Sequence, residues 1–398
     1  MDEVKLHVKI KMKNKSKILT YKEEIKKLNN EITILNNTIN TIYDSTGWRI
    51  LMRLYSFRDQ ILTINIIIKK HFKKKYNLIK KQNAYPIKVN TRKINLHSKK
   101  IIIVDHSYHV KTKSSHFLIE LLKKYFDITF ISDNSWKGLQ FPNLSVIDES
   151  YIEVIFWQTL PPKSVISQIK NENLIIFPMY DANGSSPKEF WDQYSNFKII
   201  NFTKCLHNKL QSWGFDTIHI QYFPKPSKFI KNKKRKVFFW QRINLININT
   251  VEKLLGELKT IIHFHKSIDP GHSLTKPNTQ QEKKYCIEYS AWFKSQKEII
   301  KKIQECDIYI APREYEGIGM SFLEAMAMGK AVVAPNNPSM NEYIINNKTG
   351  YLYNIKNIKE INFNNINEVR LNSYKYIITG YKKWLSDKNK IIKFIKQG

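Results

Sequence analysis

With 398 residues, 42% hydrophobic and 13% aromatic, the chain excludes wholesale disorder and is long enough for two cores and an appendage. Its formal net charge of +32 rests mainly on Lys. That abundance, beside Asn and Ile, fits an AT-rich coding sequence, and the remaining excess favours lipid headgroups or nucleotide phosphates over nucleic acid as partners. Cys205, Cys286 and Cys306 are odd in number and far apart, which excludes a disulfide framework or a Cys-rich zinc site and fits a reducing compartment.

The opening MDEVKLHVKIKMKNK lacks the apolar segment of a secretory signal, and the most apolar run, Ile61 to Ile68, is short of the ~20 residues that span a bilayer. A cytoplasmic location is expected, with peripheral attachment to the cytoplasmic face of the inner membrane. Residues 1–98 read as a helical appendage. Ile25, Leu28, Ile32, Leu35, Ile39 and Ile42 alternate spacings of three and four, a short heptad seam suited to homo-oligomerisation or to packing on its own domain. In residues 45–62, Trp48, Leu51, Leu54 and Tyr55 interleave with Arg49, Arg53 and Arg58. A Lys-rich segment follows. This pattern suits an anionic membrane surface, or a helix docked on the body with a solvated basic face.

From residue 99 the pattern changes. IIIVD, DITFIS, EVIFW, LIIFP and KIINF are short apolar runs separated by helical stretches, which predicts a parallel sheet covered on both faces over 99–224. Prolines and a charge run at 222–236 mark a connection. The alternation restarts over 236–371 with KVFFWQ, IIHFHK, DIYIAP and AVVAPN, and 372–398 reads as a C-terminal helical segment crossing back to the first half. The expected fold class is α/β: two Rossmann-like domains facing across a cleft, preceded by the helical appendage. Ligands of such sheets bind beyond the carboxyl ends of the strands.

The segment PREYEGIGMSFLEAMAMGKAVVAPN carries the most chemistry. A strand ends in a turn containing Gly317 and Gly319, and a helix starts near Met320. Glycine lets backbone approach a ligand closely, and a helix start offers unpaired N–H groups to a diphosphate. Ser321 adds a hydroxyl. Glu316 and Glu324 flank this site with seven residues between them. Carboxylates beside a diphosphate need another partner, and the vicinal hydroxyls of a sugar and a ribose provide one. The plainer alternatives are an acid complementing the helix dipole and a solvent-facing helix residue.

This Glu-x7-Glu pattern, within Y-E-G-x-G-x-x-x-L-E-A-M-A-x-G-K-x-V-V-A, resembles the donor-site signature of retaining GT-B glycosyltransferases of family 4, as does the downstream E-Y-I-x-x-x-x-T-G-Y-L from Glu342 to Leu352. The resemblance implies a nucleotide diphosphate-sugar donor. Glu316 and the backbone of Gly317, Ile318, Gly319, Met320 and Ser321 would then lie on the sugar and diphosphate, and Glu324 on the ribose. Arg242, just after the first strand of the second half, would meet the leaving diphosphate. The family's additional Lys is missing from RINLININT; Lys266 is one substitute.

The first half departs further from that family, because DHSYHVKTKSSH stands where a Gly-rich loop is usual. His106, directly after its strand, is a candidate catalytic residue, as is Asp181 in PMYDANG; the latter sequence is also an ordinary turn. Arg313 is expected to touch an acceptor or a phosphate, and Tyr289 to lie against the base or pack in the core. No D-x-D and no metal-ligand spacing occurs, so no metal or cofactor is expected. The implied activity is sugar transfer with retention to a glycan or lipid-linked acceptor, in bacterial surface-polysaccharide or lipopolysaccharide synthesis. The membrane-suited region, which has counterparts in such enzymes, supports that pathway. A GT-B nucleotide-sugar epimerase and a basic nucleic-acid-binding or scaffold protein are the rival readings.

Overall fold

A computed structural model describes residues 99–397, apart from 145, 146, 148, 149, 171, 231–234 and 294, together with Asn30. The predicted appendage, its heptad seam at 21–42 and its basic segment therefore lie outside the described residues. One compact unit, Asn95–Gly398, holds everything that follows.

Two six-stranded sheets form its frame. The first runs β2-β1-β3-β4-β5-β6, from β1 (Lys100–His106), β2 (Asp127–Asp133), β3 (Tyr151–Trp157), β4 (Leu174–Phe177), β5 (Lys198–Asn201) and β6 (Thr217–His219). The second runs β12-β11-β10-β7-β8-β9, from β7 (Lys236–Trp240), β8 (Ile261–His265), β9 (Glu288–Ser290), β10 (Ile308–Ile310), β11 (Ala331–Pro335) and β12 (Tyr351–Tyr353). Every pairing is parallel. The cause is visible in the strands: Ile101–Val104, Val154–Trp157 and Ala331–Ala334 are buried on both faces, so each demands helices above and below. The three-residue strands β6, β9 and β12 are additions to the sequence expectation; edge strands this short leave no apolar run to read.

Strand order reverses beside β1 in the first sheet and between β7 and β10 in the second. Loops leaving neighbouring strands at such a point go to opposite faces and open a crevice. Residues after β7 and β10, including Arg242 and Arg313 to Gly319, emerge there.

The covering helices used below are α1 (His116–Leu122), α2 (Lys204–Ser212), α3 (Ile248–Leu255), α4 (Thr279–Tyr285), α5 (Gln296–Gln304), α6 (Met320–Ala327) and α7 (Ile366–Lys396). Side-chain capping starts two of them: Asn247 accepts from the Asn249 and Thr250 amides at α3, and Asn278 forms a reciprocal capping box with Gln281 at α4. The last helix begins at Ile366, so the boundary expected at 372 falls inside it. Its 31 residues reach about 46 Å. Ile366 and Val369 are packed in the core of the second sheet. Trp384 meets Phe117 and Tyr222 edge-on at 5.7 and 5.2 Å, and the Phe394 carbonyl accepts from Lys198 Nζ at 3.2 Å, all residues of the first half. Gly380 lets α7 lie against Phe223, where an added Cβ would stand 2.2 Å from the ring.

Candidate functional site

The turn between β10 and α6 is shaped by two glycines with different tasks. Gly319 has φ +78°, and a Cβ there would meet the Phe322 ring at 1.8 Å, so glycine is demanded by both conformation and space. Gly317 sits against the first half: a Cβ would come 2.7 Å from Met179 Sδ and 3.1 Å from Asp181 Oδ1. Its carbonyl accepts from Thr203 Oγ1 at 2.9 Å. From the other side Ser339 Oγ donates to the Ile318 carbonyl at 3.3 Å, and the Glu316 amide donates to the Pro338 carbonyl at 3.3 Å. The bend is held while the amides of Met320 and Ser321 begin α6, an arrangement able to take an anion.

Four charged side chains from three loops of the second half and one of the first make a continuous chain here. Arg242 Nε donates to Asp269 Oδ1 at 2.9 Å, Arg313 Nη2 pairs with Asp269 Oδ2 at 2.5 Å, and Arg313 Nη1 donates to Asp181 Oδ2 at 3.0 Å. The Arg242 guanidinium also lies 4.8 Å from the Trp240 ring centroid, which fixes its plane. Burial pushes the Asp181 carboxyl up against the pull of Arg313.

Glu316 is buried, and desolvation raises its carboxyl to about 7 against the lowering charges of Arg313 and Arg242. Burial raises Glu324 to about 7 as well. Its charge acts on Tyr222 of the first half and on Tyr309 beneath the bend. Glu316, Arg242, Arg313, Asp181 and the glycine bend thus lie together, with Glu324 further along α6 beside Tyr222 and Tyr309. An acid beside two fixed guanidinium groups can accept hydrogen bonds from hydroxyls while the guanidinium groups neutralise a phosphate.

Other expected residues lie differently. His106 ends β1, stacks on Trp136 at 5.0 Å and accepts from the Tyr108 amide at 3.3 Å; burial and then His109 lower its pKa, so it is neutral near pH 7. Lys266 places its ammonium 4.4 Å from the Tyr289 ring centroid, while the Tyr289 hydroxyl donates to Glu282 at 2.6 Å. These two therefore pair with each other at the ends of β8 and β9, outward from the strand reversal. Arg313 is not a free cation awaiting an acceptor: it ties Asp181 to Asp269.

Asp269 itself escapes sequence reasoning, since Asp-Pro-Gly reads as a turn and only the strand end before it hints at a site. Glu342 carries no assigned role in the sequence, yet it joins the two halves. Its carboxylate accepts from the Lys204 and Cys205 amides at 2.6 and 2.9 Å, capping the start of α2, and its carbonyl accepts from Gln221 Nε2 at 3.1 Å. Burial raises its pKa and these amide bonds lower it. Replacing Glu342 by Ala removes two charge-assisted bonds and should lower unfolding free energy by about 2 kcal/mol. A urea titration should show the lower midpoint with an unchanged slope.

Among the described residues, no group of three or more His, Cys, Asp or Glu is gathered as a metal site, and no helix is long and apolar enough to cross a membrane. The family model described as "Glycosyl transferases group 1" matches residues 288–384, about a quarter of the chain, and covers the bend, both glutamates and Glu342. The fold is GT-B. A glycosyltransferase from Rickettsia africae superposes with a TM-score of 0.54 at 14% identity, over 76% of this chain and 100% of that one. Sucrose-phosphate synthase from Thermosynechococcus elongatus gives 0.54 at 9% identity, over 74% and 98%. TarM gives 0.45 at 16% identity over 61% of this chain, which spans only about half, 54%, of TarM's length. No curated protein sequence matches the chain.

Proposed function

We propose that the chain is a metal-independent glycosyltransferase that moves a sugar from a nucleotide diphosphate-sugar to a glycan or lipid-linked acceptor, with retention, in surface-polysaccharide or lipopolysaccharide assembly. The observation that carries the reading is the glycine bend at the start of α6, flanked by buried Glu316 and half-buried Glu324 and faced by Arg242 across the strand reversal. The matched family segment and the GT-B neighbours support it.

In this reading the α6 amides and Arg242 take the diphosphate, Glu316 accepts hydrogen bonds from donor-sugar hydroxyls, and Glu324 accepts from the ribose diol. Arg242 is oriented beforehand by Asp269 and Trp240, so little reorganisation accompanies departure of the phosphate. The anomeric carbon–oxygen bond breaks as the acceptor oxygen bonds on the same face, and the acceptor proton passes to the departing phosphate. Asp181, held by Arg313, lies on the acceptor side of Gly317 and orients the transferred sugar. The pathway and the cytoplasmic membrane face rest on the basic amphipathic segment at 45–82 of the sequence.

A thermal-shift panel of UDP, ADP and GDP and their sugars tests the reading. One base is expected to raise the melting temperature, and Glu324→Gln should weaken that nucleotide about tenfold through the lost ribose contact. Absence of a shift with every nucleotide would sink the assignment.

A further inference from the structure

Opposite the donor-side bend, the ends of β1 and β2 build an aromatic surface that the transfer step leaves unused. Trp136 follows β2 and is 42% exposed. One face of its ring stacks on His106 at 5.0 Å and an interplanar angle of 20°, and Tyr108 meets it edge-on at 5.8 Å. The indole N–H donates to Ser107 Oγ at 2.9 Å, and the Ser107 amide donates to the Asp133 carbonyl at 2.9 Å. Asp133 in turn accepts from the Ser135 amide and hydroxyl at 2.8 and 2.9 Å. The ring is therefore pinned at both strand ends with its polar atom satisfied, while much of its apolar surface is left open to water. With exposed Tyr108 beside it, the held indole offers a flat apolar area for the face of a ligand.

The surface is continuous with the site. The Tyr108 phenol, 37% exposed, feels the charges of both Arg242 and Asp269. Lys111 spans the cleft mouth, 4.3 Å from the centroid of Trp292 in the second half and 5.8 Å from that of Tyr108. The exposed ammonium of Lys137 stands 5.2 Å from the Trp136 centroid, a range at which positive charge is attracted to the ring. The C–H groups on one face of a pyranose carry such partial charge over a flat apolar area, which matches an indole.

We propose that Trp136, seated on His106 and edged by Tyr108, is the platform on which a sugar ring of the acceptor stacks. This deepens the glycosyltransferase reading and rests on it. The acceptor class is then a saccharide, and Lys137 and Lys111 favour one bearing an acidic substituent.

The test is a glycan array of neutral and acidic saccharides, probed with labelled full-length protein and its Trp136→Ala and Trp136→Phe variants, beside nucleotide thermal shifts of each. The parent should retain a defined saccharide set, Phe most of it, and Ala at least tenfold less, with the nucleotide shift preserved in all three. Equal retention by Ala overturns the platform. So does a parent that binds nucleotide and no saccharide, or retention that follows glycan charge alone and disappears with salt equally in all three. A parent without a nucleotide shift defeats the glycosyltransferase reading itself, and the platform with it.

Discussion

Glu316→Gln is expected to cut sugar transfer by about 10²–10³-fold while making the protein more stable at pH 8. The loss follows from the chemistry of the side chain: a carboxylate accepts two adjacent hydroxyls, whereas an amide turns one acceptor into a donor. The gain follows from its burial, which raises the carboxyl from 4.5 to about 7. The sign can be worked through. Between about pH 4.5 and 7 the folded protein keeps a proton that the unfolded chain has released, so stability falls as pH rises through that window and levels off above it. At pH 8 the cost is on the order of 3 kcal/mol, and Gln removes it. Melting temperatures of parent and variant should therefore separate by several degrees at pH 8 and converge near pH 4.5. A variant that loses activity and is also destabilised at pH 8 would place Glu316 in a structural ion pair instead. Glu324 shares the elevation to about 7, so the pair makes this site a reservoir of strain at neutral pH.

Arg242→Ala should lower kcat by about 10²–10³-fold, the usual cost of one preorganised group at a developing anion. Its Nε is fixed by Asp269 and its plane by Trp240, so Lys, a point charge without a planar fork, should restore only a small part. Removing the guanidinium also leaves Asp269 with Arg313 alone, which should weaken nucleotide binding without unfolding the sheet. Single-turnover kinetics with saturating donor, beside a nucleotide thermal shift, separate the two effects. An unchanged kcat would remove Arg242 from the phosphate.

Much of the fold was legible because its strands are buried on both faces. Ile101–Val104 and Ala331–Ala334 read as continuous apolar runs, which only a covered parallel sheet explains. The edge strands β6, β9 and β12, three residues each, carry no such run. The glycine turn and the helix start at Met320 were legible because spacing and helix frame coincide within one segment. What escaped depends on partners distant in sequence. Arg313 finds Asp181 132 residues away, Thr203 finds Gly317 at 114, and Glu342 finds the Lys204 amide at 138. Local pattern does not encode such meetings. Asp269 lies only 27 residues from Arg242, but their encounter depends on β7 and β8 pairing in register.

The long final helix has a mechanical consequence. It is rooted beside β11 and β12 and ends on the core of the first half, while residues 222–230, where the Ser227 amide donates to the Ala327 carbonyl, also link the two halves. The two passages lie against each other, since the Tyr374 hydroxyl donates to the Ser227 carbonyl at 2.7 Å and Gly380 packs on Phe223, so together they act as one joint between the halves. Opening about that joint would part Thr203 from Gly317 and the α2 amides from Glu342, and closing would restore the same bonds.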